Sequence, residues 1–186
     1  MSYGILTVVA GPMFGGKTTE TLKRILWAKN GEFRETHVFK PSFDTRYAET
    51  EIVSHDGLKA TAHNIAEIPT TAFSKGSLVV LDEVQFFMEP YFHGDVVAWV
   101  RTLLEQDIEV LAAGLDMDWR GEPFDVTARL LAMANEAKKV TANCTCCGKP
   151  ASKTYKKQQD PNSGSVELGS TDLYEARCNT HWSFPA

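Results

Sequence analysis

Long apolar runs, a basic excess and abundant cysteine are what this sequence lacks, and each absence narrows what the chain is. No stretch of its 186 residues approaches the apolar length needed to cross a membrane. The first residues carry no charged-then-apolar leader pattern, so the expectation is a cytoplasmic protein with no membrane partner. Acidic side chains outnumber basic ones, giving a formal net charge of -5 and a pI of about 5.5. That balance supplies no overall electrostatic reason for a nucleic-acid polymer as partner, although a local basic groove is compatible with it. Only four cysteines occur, three of them within residues 144–147, which points to a metal site or free thiols and away from a disulfide framework. There is no internal repeat and no low-complexity tract.

What is present supports a folded core. A hydrophobic content of 43% with 23% charged residues is ordinary for a globular chain of this length: one domain, with room for a small appendage.

The organising stretch is Gly11-Pro12-Met13-Phe14-Gly15-Gly16-Lys17-Thr18, which fits the phosphate-loop pattern G-x-x-x-x-G-K-[ST]. Ile5 to Ala10 precedes it as a short apolar, partly β-branched run that reads as a buried strand. Leu22, Ile25 and Leu26 follow at helical spacing, with Asn30-Gly31 as the stop. A glycine-rich turn lets backbone N–H groups approach phosphate oxygens, and the following helix offers its N-terminal dipole to the same anion. Lys17 is then expected on the β- and γ-phosphates and the Thr18 hydroxyl on Mg²⁺. The expectation is a nucleoside triphosphate site.

Further along, Thr36 to Lys40 reads as a second strand, cut off by Pro41. Ser42 to Gly57 has no clear period and reads as a loop of functional length, in which Arg46 is a candidate phosphate contact and Asp44 or Asp56 a candidate positioning group. His55, His63 and His93 stand alone and read as structural or solvent-exposed. Ser77 to Leu81 followed by Asp82-Glu83 reads as a buried parallel strand with acids at its C-terminal end, where doubly wound sheets bind ligands. Asp82 is therefore a Walker-B candidate near Mg²⁺ and Glu83 a candidate proton acceptor, with Gln85-Phe86-Phe87 expected to line the same cleft. A helix over Asp95 to Glu105, a strand over Ile108 to Gly114, a helix around Val126 to Ala134 and a strand around Lys138 to Ala142 complete an alternating α/β pattern. Trp119 and Phe124, on the loop after Gly114, either flank a flat base or pack beneath the loop.

The tail changes character. Cys144-Thr145-Cys146-Cys147 lies about thirty residues before Cys178-Asn179-Thr180-His181. The C-x-x-C and C-x-x-H spacings suit a tetrahedral structural Zn²⁺. Cys146 is one cysteine too many and spacing leaves it open as a ligand; the two-residue gap of a knuckle turn favours Cys144 and Cys147. A segment so poor in apolar residues needs the metal as a staple. The boundary is set at 1–142 for the nucleotide-binding part and 143–186 for the zinc-bearing part.

Taken together, Gly-Pro-Met-Phe-x-Gly-Lys-Thr (11–18), Asp-Thr-Arg-Tyr (44–47), Ser-His-Asp (54–56) and Asp-Glu-x-Gln-Phe-Phe (82–87) resemble type II thymidine kinases. So do Gly-Leu-Asp…Arg-Gly-Glu-Pro-Phe (114–124), Cys-x-x-Cys-Gly (144–148) and Tyr-Glu-Ala-Arg-Cys-x-x-His (174–181), in the right order over nearly the whole chain. The resemblance implies a RecA-like parallel sheet flanked by helices, with a small zinc-binding domain whose lasso loop closes over the nucleoside. It implies ATP-dependent phosphorylation of the thymidine 5′-hydroxyl, and that of deoxyuridine, in deoxynucleotide salvage. By position, Glu83 would be the general base, with Lys17 and Arg46 at the transferred phosphate. Gly11 to Thr18 and Asp82, Glu83, Val84 and Gln85 would contact ATP. Met13, Asp44, Gln85, Leu115, Trp119, Phe124, Thr154 and Tyr174 would line the nucleoside pocket, closed by the lasso residues Val166, Glu167, Leu168 and Gly169. A homotetramer inhibited by dTTP is also implied.

The chain departs from the family pattern at Gly15 (often serine), Trp119 (more usually phenylalanine), Asp125 (often glycine) and His181 (cysteine in some members). None of these alters Lys17, Asp82 or Glu83. The rival readings are a nucleic-acid-stimulated P-loop ATPase, disfavoured by length and acidity, and a zinc-stabilised binding module with a vestigial nucleotide site.

Overall fold

A computed structural model describes residues 2–32, 34–43, 51–53, 57–158 and 172–183. Strand β1 (Leu6–Ala10) is buried along its whole length, as its apolar sequence demands. It feeds the phosphate loop and helix α1 (Lys17–Asn30), which buries Thr21, Leu22, Ile25 and Ala28 and ends where the Gly31 amide donates to the Trp27 carbonyl. Then come β2 (Thr36–Pro41), β3 (Glu51–Val53), β4 (Lys59–Thr61), β5 (His63–Ile65) and β6 (Leu78–Leu81). A 3₁₀ turn over Val84–Phe86 leads towards α2 (Val96–Glu105), whose cap is the Asp95 carboxylate accepting from the Val97 and Ala98 amides. Strand β7 (Glu109–Gly114), helix α3 (Asp125–Met133) and strand β8 (Glu136–Lys139) follow.

Six strands form one sheet in the order β5-β2-β6-β7-β1-β8, every pairing parallel. The chain belongs to the α/β class, a parallel sheet flanked by helices, as expected. Alternation along each strand divides the core in two. Val8, Val79, Leu81, Val110 and Ala112 face α2 and α3, while Val9, Leu78, Val80, Leu111 and Ala113 face α1. Because all strands run the same way, their C-terminal ends, at Ala10, Pro41, Leu81 and Gly114, lie on one edge of the sheet. That edge is where α/β proteins bind ligands.

Two local expectations are corrected. The stretch from Ser42 to Gly57 is not loop throughout: Glu51–Val53 pairs antiparallel with Lys59–Thr61. Three-residue strands bearing Glu and Lys are too short and too charged to register as periodic. The last sheet strand runs over Glu136–Lys139 and not Lys138 to Ala142, because it is an edge strand with four exposed residues and no apolar signature.

Ala142–Asn143 is instead β9, paired with β10 (Pro150–Ala151), and β11 (Lys153–Lys156) pairs antiparallel with β12 (Tyr174–Arg177). These four strands surround a third, small cluster of Ala142, Cys144, Ala151, Ala176 and Cys178. Among the described residues no helix is long and apolar enough to cross a membrane.

Candidate active site

The phosphate loop is wound about one carbonyl. Pro12 O accepts from the Gly15 amide at 3.3 Å and from Lys17 Nζ at 2.7 Å. Gly16 enters α1 with φ 77°, a left-handed conformation that glycine adopts without penalty, and no side chain caps the helix. A helix N-terminus with no side-chain cap is suited to receive an anion. Phe14 is also left-handed, with φ 65°, and its ring packs against the third cluster. The Met13 amide donates to Thr154 Oγ1, 141 positions away in sequence, at 3.1 Å.

The acids after β6 face that loop. Thr18, Asp82 and Glu83 line one small cleft together with Lys40 and residues 51–53 of β3. Asp82 is buried, its amide fixed to the Phe39 carbonyl at 2.9 Å. Glu83 sits at φ 54° and ψ 45°, and its carboxylate accepts from Gln85 Nε2. Gln85 is 1% exposed, and its Oε1 accepts from the Leu115 amide at 2.9 Å. The acid is thus tied through one buried amide to the end of β7. Gly114 makes this possible: a Cβ there would lie 2.5 Å from Gln85 Oε1 and 2.7 Å from Val84 Cγ2.

Lys40 was missed by sequence reasoning. It is 2% exposed in the same cleft, with Nζ donating to the Glu51 carbonyl at 3.3 Å. A lysine closing an otherwise buried strand, just before Pro41, is a signal in hindsight, since burying an ammonium is costly without partners. Phe86 and Phe87, by contrast, do not line the cleft. Phe87 belongs to the core beneath α2, and Phe86 packs edge-on against Phe43 and Tyr91 at centroid separations of 5.3 and 5.9 Å.

In the segment after β7, Trp119 is 2% exposed, with the Arg120 guanidinium 4.8 Å and the Lys156 ammonium 5.4 Å from its ring. A ring so covered has little face left for a base. Phe124, Thr154 and Tyr174 are buried as well, whereas Met13 and Leu115 are half-buried. Asp116, next to Leu115, pairs through Oδ2 with Lys139 at 2.9 Å, and its buried Oδ1 has no hydrogen-bond partner. Asp44, Arg46, His55, Asp56 and the lasso residues Val166, Glu167, Leu168 and Gly169 lie outside the described residues.

The remaining cysteine question is answered by geometry. One ligand atom each from Cys144, Cys147, Cys178 and His181 lies within 4.8 Å of every other, and Cys146 is exposed outside the group. Zn–S bonds of about 2.3 Å in a tetrahedron separate two sulfurs by roughly 3.8 Å. Cys147 Sγ and Cys178 Sγ are 3.8 Å apart, and His181 Nδ1 is 3.2 Å from Cys178 Sγ and 3.7 Å from Cys144 Sγ. Burial pushes the Cys144 and Cys178 thiols up, but surrounding backbone donors outweigh it and bring both to about 7, which favours thiolate ligation. The donor set and its spacing fit structural zinc.

With this geometry in view, the comparisons are specific. A family model described as thymidine kinase matches residues 4–182. The chain is similar to the thymidine kinase of Thermococcus kodakarensis, 39% identical with 98% of this chain and 95% of the relative covered. It is similar at 38% identity to the thymidine kinases of Coprothermobacter proteolyticus, covering 98% of this chain and 92% of that one, and of Pyrobaculum aerophilum, covering 97% and 100%.

Proposed function

The chain belongs to the thymidine kinase family, and from that premise we propose that it transfers the γ-phosphoryl group of ATP to the 5′-hydroxyl of thymidine, and of deoxyuridine, in deoxynucleotide salvage. The observation that carries the reading is the meeting of Thr18, Asp82 and Glu83 in one cleft beside the uncapped N-terminus of α1.

In this reading ATP lies along Gly11 to Thr18, with Asp82, Glu83, Val84 and Gln85 on its far side. Thr18 and Asp82 would hold Mg²⁺, which offsets phosphate charge when bound. Lys17 leaves the Pro12 carbonyl to meet the β- and γ-oxygens, adding charge stabilisation where phosphoryl-transfer catalysis chiefly resides. Glu83 accepts the proton of the 5′-hydroxyl as its oxygen bonds to the γ-phosphorus and the bond to the ADP oxygen breaks. The Gln85 amide, fixed by Leu115, keeps the Glu83 carboxylate turned into the cleft. Arg46 beside the transferred group, Asp44 on the nucleoside, and Val166 to Gly169 over the base complete the assignment on resemblance. So do Met13, Leu115, Trp119, Phe124, Thr154 and Tyr174 around the nucleoside, where Trp119 shapes the wall from beneath. Zinc at Cys144, Cys147, Cys178 and His181 supplies a cross-link and takes no part in the chemistry.

A cytoplasmic homotetramer inhibited by dTTP belongs to the same reading. Trp27, 73% exposed on α1, borders a groove of about 460 Å³ floored by Leu78, Val110 and Leu111. The exposed Trp27 ring favours burial against another copy, with the charged rim of Glu20, Lys23, Arg24, Glu32, Arg34 and Glu109 around it.

The test is ADP release with Mg·ATP against thymidine, deoxyuridine, deoxycytidine, deoxyadenosine and single-stranded DNA. Turnover with thymidine, its product identified as the 5′-monophosphate, supports the kinase; silence with every nucleoside but activity with DNA rejects it in favour of a nucleic-acid-stimulated ATPase. Glu83→Gln is expected to retain ATP binding while lowering kcat by roughly a hundredfold or more, and wild-type turnover would remove Glu83 as the base.

A further inference from the structure

We propose that the zinc-ligand segment sets how tightly the phosphate loop holds nucleotide, acting through Thr154 and Phe14 as positioning residues. The proposal rests on the reading that Gly11 to Thr18 binds ATP and that the Cys3His group binds zinc.

Among the described residues, the Met13–Thr154 hydrogen bond and the packing of Phe14 cross from that segment to the loop, and both fix its backbone. The Met13 amide is spent on Thr154 Oγ1 at 3.1 Å, so this N–H pins the loop and is turned away from phosphate. Phe14 holds a left-handed conformation, φ 65°, that residues with a side chain rarely keep unless their surroundings over-determine it. What surrounds its ring is the cluster of Ala142, Cys144, Ala151, Ala176 and Cys178, two of whose five members are zinc ligands.

The path between the ligand residues and the loop is short. Thr154 on β11 stands directly opposite Ala176 on β12, and Cys178 is two residues beyond Ala176. Thr154 is itself 5% exposed. Inside the loop, Pro12 O gathers the Gly15 amide and Lys17 Nζ, an arrangement that requires the turn at Met13-Phe14 to stay in place. Losing zinc therefore removes no group that touches phosphate. It releases the two contacts that preorganise those groups, and nucleotide must then order the loop at the expense of its own affinity. Because the segment is ordered by ligation, metal and nucleotide are coupled through a continuous chain of packed residues.

The experiment compares equilibrium binding of a non-hydrolysable ATP analogue and of thymidine, with zinc content measured throughout. Thr154→Val keeps the side-chain volume but removes the acceptor; it is expected to weaken the analogue by about five- to tenfold at full zinc occupancy, with Thr154→Ser restoring affinity. Chelation of the wild-type protein is expected to weaken the analogue at least as much, reversibly on adding zinc. Unchanged analogue affinity in both overturns the coupling, and so does an effect on thymidine alone, which would make Thr154 a nucleoside contact only. In Thr154→Val, loss of both ligands together with a lowered Tm likewise overturns it, as general unfolding. Failure of the wild-type, zinc-loaded protein to bind the analogue at all is a different result: it rejects the underlying kinase reading.

Discussion

The sheet and the zinc-ligand segment are held together by different forces. Around the sheet, two apolar clusters contain residues as large as Phe87, Phe92 and Leu130, all nearly inaccessible. Among the described residues, the cluster of the zinc-ligand segment has only alanines and cysteines as its buried members. Burial stabilises in proportion to apolar area, at about 25 cal/mol per Å², so the first region can stand on packing and the second cannot. Ligation of a zinc ion by Cys144, Cys147, Cys178 and His181, whose spacing fits one, would supply what area does not. The comparison teaches that the acids and phosphate-loop ends sit on a self-supporting frame, while the contacts that shape the loop from outside would depend on a metal held by the Cys3His group.

The sharpest way to break the comparison is to remove a ligand. Cys178→Ser is expected to abolish zinc binding and with it nearly all amide exchange protection in β11 and β12, leaving β1, β6 and β7 protected. Full zinc occupancy with unchanged protection would show that the four-ligand assignment is wrong. The converse cut is Leu81→Ala, in a strand with four buried residues. It is expected to cost about 2–5 kcal/mol of global stability by urea unfolding, with stoichiometric zinc in the folded fraction. A cost below about 1 kcal/mol would mean that the sheet does not rest on packing.

The smallest effect asks whether the sheet leans on charge. Lys138 hydrogen-bonds to Glu20, and Arg24 forms a two-point pair with Glu136, holding both carboxyls below the ordinary 4.5. Depressed folded-state values mean a contribution present above about pH 4.5 and lost as pH falls through the lower folded values. Glu136→Gln is therefore expected to be less stable than wild type by about 0.2–1 kcal/mol at pH 7. The gap should close as pH falls from the ordinary 4.5 through the lower folded value, measured as a difference between the two proteins so that acid release of zinc cancels. A gap that widens on acidification would reverse the sign of the argument.

Legibility in the sequence follows the same division. Strand β1, helix α1, strand β6 and helix α2 announce themselves because each couples an apolar pattern to a boundary signal, such as Asn30-Gly31 or Asp95. The Cys3His quartet is equally plain from its two spacings, and only the choice against Cys146 rests on the fold. What stays hidden is either short and charged, like β3 and β8, or long-range. No local pattern joins Met13 to Thr154, and none says that the Gln85 amide will be consumed in tying Glu83 to Leu115. Lys40 escaped because a lone lysine in a strand looks like an exposed edge until the neighbouring strand's acids are set beside it.

Gly114 has a practical consequence for anyone wishing to redesign the substrate range. A combinatorial library around the proposed nucleoside pocket would naturally randomise the run that includes Leu115, Trp119 and Phe124. Extending it by one position would be self-defeating, because every replacement at 114 carries the Cβ that collides with Gln85 and Val84. Such clones would score as inactive whatever their new pocket recognised, and true changes of specificity would be discarded with them. Diversity should begin at Leu115, with Gly114 kept as a constant.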